Sequence, residues 1–343
     1  MASHAPPHKV PRPGVETLLM DFQRTRRENT PLTQVVLDTL KKTLGPGSAE
    51  MALDLPLGKA LMRLTQAVQE DGQANDAGAP DYHNTAHFKE AVMAVGHLCA
   101  LEFEGEAPCP HLVVLAMTAM VGHDFKHDGT SNETGKSLEA IAWQACEPYL
   151  DGVHLEDKKA IEAIILGTDP TKLNEHRARY SDASVPPSAI DRLRLIACEA
   201  DLTPSLMPEH GVEMGKLLAK ELKSSNVPVL TVLGESISSW ESRMGFLHHA
   251  KPISKAADTF GLKNMHSTQL QAFVELAQSL DLSDAKDAAR HLDKVDVNQG
   301  PSQSSALYLS ALTHVDSKLG AAVARAMNLP APGPLQKDVD FGM

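Results

Sequence analysis

Ten residues, His123 to Asn132, read HDFKHDGTSN and bring together two histidines, two aspartates and an asparagine. They follow the apolar run HLVVLAMTAMVG at 111–122, long enough for a helix ending deep in a core. An unpaired ionisable side chain is costly at such a place. A divalent cation satisfies both members of the His123–Asp124 pair, because imidazole nitrogen and carboxylate oxygen suit zinc, iron, manganese or magnesium. If the helix continues past Gly122, His127 faces the same cavity. Upstream, DYHNTAHFKEAV sets His83 and His87 four residues apart, on one face of a helix. Downstream, Asp201 stands in LIACEADLTPS, at the end of another apolar run. Taken singly, each reads as a capping residue or a buried His–Asp pair. Taken together, His87, His123, Asp124 and Asp201 define one metal site with His83 and His127 beside it. Independent capping pairs do not explain four ligand-type residues beside three separate apolar segments.

Helices must position these residues. Apolar spacing predicts them over 15–29, 30–45, 55–70, 84–102, 111–122, 137–150, 157–169, 189–201, 210–225, 236–250, 253–262, 267–282 and 304–327. Pro31 fits the first turn of the second helix and Gly45 its end. Pro and Gly fall between segments, strand-like alternation is absent and no internal repeat is seen. The expected fold is all-α, a compact multi-helix domain at 16–330. A disordered tail is expected at 1–15 and a mobile one at 331–343.

The chain has 343 residues, 42% of them hydrophobic but only 4% aromatic, so aliphatic side chains and methionine must fill the core. A net charge of −12 argues against nucleic acid and anionic membranes as partners. Cys99, Cys109, Cys146 and Cys198 form no CxxC pair and read as reduced, packed thiols. No apolar stretch is long enough to span a membrane, and the N-terminus lacks the apolar core of a secretory signal, so a cytoplasmic location is expected.

The motifs resemble the catalytic domain of class I 3′,5′-cyclic-nucleotide phosphodiesterases, within the HD-type metal phosphohydrolases. YHNTAH at 82–87 is similar to that family's YHNxxH, and HDFKHDGTSN to its HDxxHxGxxN. IILGTDPTKLNEH at 164–176 resembles ILxTDxxxH, ACEADLTPS the segment of its last metal aspartate, and SRMGFLHHAKPI at 242–253 its QxGFI segment. The resemblance implies that His87, His123, Asp124 and Asp201 hold a tight zinc or iron ion. Asp124 would bridge to a second, wetter magnesium or manganese ion, whose waters His127, Thr168 and either Glu139 or Glu147 would hold. His83 would be the general acid, Asn132 and Tyr82 supports (Tyr82 also bordering the substrate), and Phe246 would stack on the base.

Two departures fall on the substrate side. Arg243 stands where the family has a purine-reading glutamine, and Pro204 where it has an asparagine. Arginine only donates hydrogen bonds and stays charged, so it suits guanine acceptors, a phosphate or a carboxylate rather than adenine's amino group. On the surface, paired with Glu241, Arg243 would have no such role. His97, His111 and His176 read as structural, Trp143 and Trp240 as packing, and His248–His249 as surface or core histidines. The leading expectation is hydrolysis of a small-molecule phosphodiester, cyclic AMP or cyclic GMP, to the 5′-monophosphate. Hydrolysis of another phosphoester, or nucleotide binding without catalysis, are the alternatives. The oligomeric state is left open.

Overall fold

The structure, a computed structural model, describes residues 14–74, 80–107, 109–132, 136–221, 229–232, 235–238, 246–247 and 249–267. They form α1 (Val15–Glu28), α2 (Leu32–Leu44), α3 (Pro46–Asp54), α4 (Pro56–Ala74), α5 (Thr85–Glu102) and α6 (Cys109–Gly122). Then come α7 (Leu138–Cys146), α8 (Leu155–Ile165), α9 (Leu173–Ser181), α10 (Ala189–Leu206) and α11 (Pro208–Glu221). Single turns of 3-10 helix lie at Glu147–Leu150 and Pro170–Lys172, and a short helix at Lys255–Phe260. The N-terminal residues 1–13, Trp240, Arg243, His248, the helix expected over 267–282 apart from Ser267, the helix expected over 304–327, and the C-terminal tail lie outside the described residues.

The described chain is helical except for one antiparallel hairpin. There β1 (Val229–Val232) pairs with β2 (Glu235–Ser238), Leu230 opposite Ile237. A helix was expected to start at 236. The β-branched VLTV and the alternating ESIS favour extended backbone instead. Helices α3 and α9 were not anticipated, and Val15 is already the first residue of α1 rather than part of a tail. Nor does every proline fall between segments. Helix α10 continues past Asp201 to Leu206 and contains Pro204 in its last turns, where a missing N–H costs little helix beyond it.

At the centre lie α5 and α6. Helix α6 is apolar on every side and buried from Leu112 to Gly122. Such a helix is stable only when surrounded. Its Thr118 hydroxyl returns to Val114 O at 2.7 Å. Helix α5 packs against α2, α6 and α10. Gly96 allows the α2 crossing, since a Cβ there would come within 2.5 Å of Thr39 Cγ2. The helix starts are legible: Asn84 Oδ1 accepts Ala86 N–H at 2.9 Å, and Ser188 with Asp191 closes a capping box on α10.

Although α5 is central, it carries buried His87, Lys89, Glu90, His97 and Glu102. Most find partners on neighbouring elements. Glu90, 0% exposed, accepts Arg26 Nε of α1 at 2.5 Å and faces His210 Nε2 of α11 at 2.9 Å. Glu102 accepts Tyr180 O–H at 2.8 Å, Arg192 Nε at 3.1 Å and Ala256 N–H at 3.0 Å. Glu199 of α10 accepts Ile253 N–H at 2.6 Å and Ser254 N–H at 3.0 Å, so two buried glutamates hold the start of the Lys255–Phe260 helix. His97 stacks on Phe260, and burial pushes its pKa down to about 4. Among the described residues no helix is long and apolar enough to cross a membrane, and the four cysteines are free.

Glu90→Ala should leave Arg26 and His210 facing an apolar void and destabilise the fold by about 3–5 kcal/mol in urea denaturation. Burial works to raise the Glu90 pKa, but His210 and Arg26 outweigh it and hold it below the ordinary value. Its stabilisation is therefore present above the unfolded carboxylate pKa and is lost as pH falls through the folded one. The acid-unfolding midpoint should be less dependent on this site in Glu90→Ala than in wild type.

Candidate metal centre

Three core elements deliver four donor atoms to one point. His87 lies in the first turn of α5, His123 and Asp124 follow the last residue of α6, and Asp201 lies in α10. His87 Nε2 is 2.9 Å from Asp201 Oδ1 and 3.3 Å from Asp124 Oδ2. His123 Nε2 is 3.0 Å from Asp124 Oδ2, 3.2 Å from Asp201 Oδ1 and 3.3 Å from His87 Nε2. Bonds of about 2.0–2.2 Å to a shared cation place neighbouring donors roughly 3.0 Å apart in octahedral and 3.4 Å apart in tetrahedral geometry. The observed separations match, so this group could hold a metal ion.

The surroundings suit that use. His123 Nδ1 donates to Met120 O at 2.8 Å, which fixes the tautomer and leaves Nε2 free to ligate. His87 Nδ1 is buried and unpartnered among the described residues; its ring lies 4.8 Å from that of Tyr82. Both imidazoles are 1% exposed, while the side chains of Asp124 and Asp201 are 16% and 21% exposed, so the centre opens on its carboxylate side. Burial alone would lower the pKa of His87, but Asp124 and Asp201 raise it to about 9. The same carboxylates lift His123 well above its ordinary value. Reciprocally, the histidines hold both aspartates far below the usual carboxylate range against the opposing effect of burial. The pocket thus favours positive charge at its centre. One cation between neutral rings supplies it without setting two imidazoliums 3.3 Å apart.

The neighbouring histidines arrive differently from expectation. His83 does not share a helical face with His87: it lies in the turn before the Asn84 cap, its ring edge-on to His87 at 5.7 Å. The helix before His123 does not continue either. Residues 123–126 turn, and Lys126 (φ 67°) and Gly129 (φ 76°) adopt left-handed backbone. That turn stacks His127 on His83, with centroids 3.9 Å apart and planes at 19°.

Sequence reasoning missed Glu221, at the end of α11. Its Oε1 lies 2.5 Å from His83 Nδ1, and its Oε2 accepts the N–H groups of Tyr82 at 2.7 Å and His83 at 3.1 Å. Burial would raise its pKa, but His83 and those N–H groups lower it. Nothing in KLLAKELKSS marks this carboxylate out from the other acids of an amphipathic helix. Donor atoms of His83, His127 and Glu221 also come within metal-binding reach of one another. However, the in-plane lone pairs of stacked rings run parallel rather than converging. His83 Nδ1 is engaged by Glu221, and His127 Nδ1 accepts Gly129 N–H at 3.0 Å. Within the triad His83 and Glu221 form a hydrogen-bonded pair, and His127 is stacked on it rather than bonded into it. Burial and the neighbouring His83 push the His127 pKa down to about 4, which keeps that ring neutral.

The remaining expected residues divide. Glu139 is buried and held by Asn132 Nδ2 at 3.0 Å and Ser137 Oγ at 2.9 Å, whereas Glu147 is exposed. Thr168 is buried and donates its hydroxyl to Ile165 O at 2.8 Å. Glu139 belongs to neither of the two converging groups. Asn132 also accepts Leu138 N–H at 2.7 Å, the contact of a supporting residue. Tyr82 is buried with its hydroxyl 3.2 Å from Ser205 Oγ, so it braces His87. Phe246 is half-buried in a helical turn, and Arg243 is outside the described residues. Pro204 is buried within α10. No family model, curated protein or solved structure matches the chain.

Purified protein should carry about one tightly bound transition metal per chain, and Asp201→Ala or His123→Ala should lose it. Elemental analysis of wild type and both variants checks this. Because ligation needs a neutral His87, uptake at pH 7 should release protons. Metal affinity should therefore climb as pH rises towards about 9, measurable in a metal-competition titration.

Proposed function

We propose that the chain is a metal-dependent phosphodiesterase that hydrolyses a 3′,5′-cyclic nucleotide to its 5′-monophosphate. The observation that carries this reading is the His83–Glu221 pair set beside the four-donor cluster: a proton donor next to a site for Lewis-acid chemistry. The motifs from Tyr82 to Ile253 support it by their resemblance to the cyclic-nucleotide phosphodiesterases.

His87, His123, Asp124 and Asp201 would hold a tight zinc or iron ion, with Asp124 shared with a more hydrated magnesium or manganese ion. Such a pair, when bound, supplies a hydroxide nucleophile near neutral pH and neutralises phosphate charge. The chain's own residues handle the proton. Cleavage of the P–O3′ bond leaves an alkoxide that must be protonated. His83 can do this from Nε2, because Glu221 takes its Nδ1 side, fixes the ring and stabilises the imidazolium before transfer. His127, neutral and stacked on His83, keeps its Nε2–H for a hydrogen bond to the reacting group or its water. Pro204, in place of the family's asparagine, removes a polar side chain from the substrate side and favours a second reading, hydrolysis of a different phosphoester by the same machinery.

A screen of cyclic mononucleotides, cyclic dinucleotides and linear phosphoesters with Mg²⁺ or Mn²⁺ separates the two readings. A metal-loaded protein that turns over none of them would overturn both. His83→Ala should lower turnover of the best substrate by roughly 10²–10⁴-fold with metal content unchanged. A nitrophenyl ester, whose leaving group needs little protonation, should be largely spared. Glu221→Gln should cost about 10–100-fold with the same selectivity between leaving groups. Equal losses on both ester types would remove His83 and Glu221 from the proton-transfer step.

A further inference from the structure

We infer that the cavity between α1, α4 and the start of α5 is an anion-binding site in which Lys89 is the cation that meets a phosphate or carboxylate group. This deepens the reading above, because the same cavity of about 840 Å³ is walled by His83, Asp124 and His127. A space of that size suits a nucleotide-sized ligand.

Lys89 is 5% exposed and lines the cavity. Lysine is almost never this buried unless paired, since taking an ammonium from water is costly. Among the described residues no carboxylate or carbonyl accepts a hydrogen bond from it or forms an ion pair with it. Its sequence neighbour Glu90 is committed to Arg26 and His210. The other charges of the wall are matched: Lys126 by Asp71, Asp81 by Lys220 and Asp128 by Lys136. Arg26 is matched by Glu90 and His83 by Glu221, while Asp124 belongs to the metal cluster. Among the described residues one ammonium is therefore left without a partner, carried on a buried stem and facing a space that reaches the metal centre. A lysine serving only solubility would extend to solvent. The arrangement instead leaves room for a ligand's negative charge, worth a charge-assisted hydrogen bond in a shielded place.

The anion has two chemical sources: a second charged group on the substrate, or a separate small anion. Calorimetric titration of metal-loaded wild type and Lys89→Met with inorganic phosphate, at constant ionic strength, tests the site without reference to turnover. Wild type should show a binding event that weakens roughly tenfold or more in Lys89→Met, beyond any binding common to both proteins at the metals. Lys89→Met should melt no lower than wild type without phosphate, since methionine keeps the buried apolar stem and breaks no ion pair among the described residues, so failure to fold would count against the inference. Identical phosphate isotherms, or no binding by either protein, would overturn it. A kinetic arm separates the sources by comparing a phosphodiester with the same ester carrying an extra phosphomonoester. If the anion is part of the substrate, Lys89→Met raises KM for the doubly charged ester about tenfold more than for the singly charged one. If it is a separate ligand, the KM ratio stays put while the isotherm changes. A protein that hydrolyses no ester leaves the calorimetric result standing by itself.

Discussion

A helix surrounded on every side carries an ionisable group only at a cost, and α5 carries five. Desolvating a charge costs several kcal/mol, more than most single contacts return. Three of these groups on α5 therefore dictate what is placed against them. Glu90 calls for Arg26 and His210, which ties α1 and α11 to the centre. Glu102 calls for Arg192 and Tyr180 and is then free to cap the Lys255–Phe260 helix. His87 calls for Asp124 and Asp201, and so brings the end of α6 and the middle of α10 to one point.

That dependence explains why the four-donor cluster is so compact. Its ligands ride on α5, α6 and α10, whose apolar faces already fix their relative positions. Gly122, the residue before His123, sits where any side chain would collide with Cys146 Sγ, so the end of α6 is pressed against α7 and cannot shift. The donors converge because the core does, and preorganised donors bind a cation without further ordering of the chain.

How much of this was legible in the sequence follows from the same physics. The four ligands could be named because each stands beside an apolar run, where a polar residue is out of place. The helices expected over 84–102, 137–150 and 189–201 were legible from apolar spacing, and the structure starts them at caps on Asn84, Ser137 and Ser188. What was not legible depended on turns and on long-range pairing. A helical spacing joined His83 to His87, but the Asn84 cap cuts between them. A helix was carried past Gly122, where left-handed backbone at Lys126 and Gly129 instead folds His127 back onto His83. Glu221 gave no local sign because its partner lies far away in sequence. The β1–β2 hairpin was hidden by serines and a tryptophan that fit a helical wheel equally well.

The centre therefore has two kinds of mechanical support. The metal ligands sit on core helices or directly at the end of one, whereas the His83–Glu221 pair sits on the turn before α5 and on the last residue described in α11. Glu221 reaches His83 only because α11 packs on α10, and His210, one turn into α11, is itself pinned to Glu90. A disturbance of α11 therefore acts on the proton donor through Glu221 while leaving His87, His123, Asp124 and Asp201 in place. Lys89 belongs to neither set. It lies on the rigid helix yet, among the described residues, makes none of the pairings that justify its neighbours, and a fold that satisfies Glu90 one residue away had the means to satisfy it too. An unpaired charge kept in such company is best explained by a partner that arrives with the ligand.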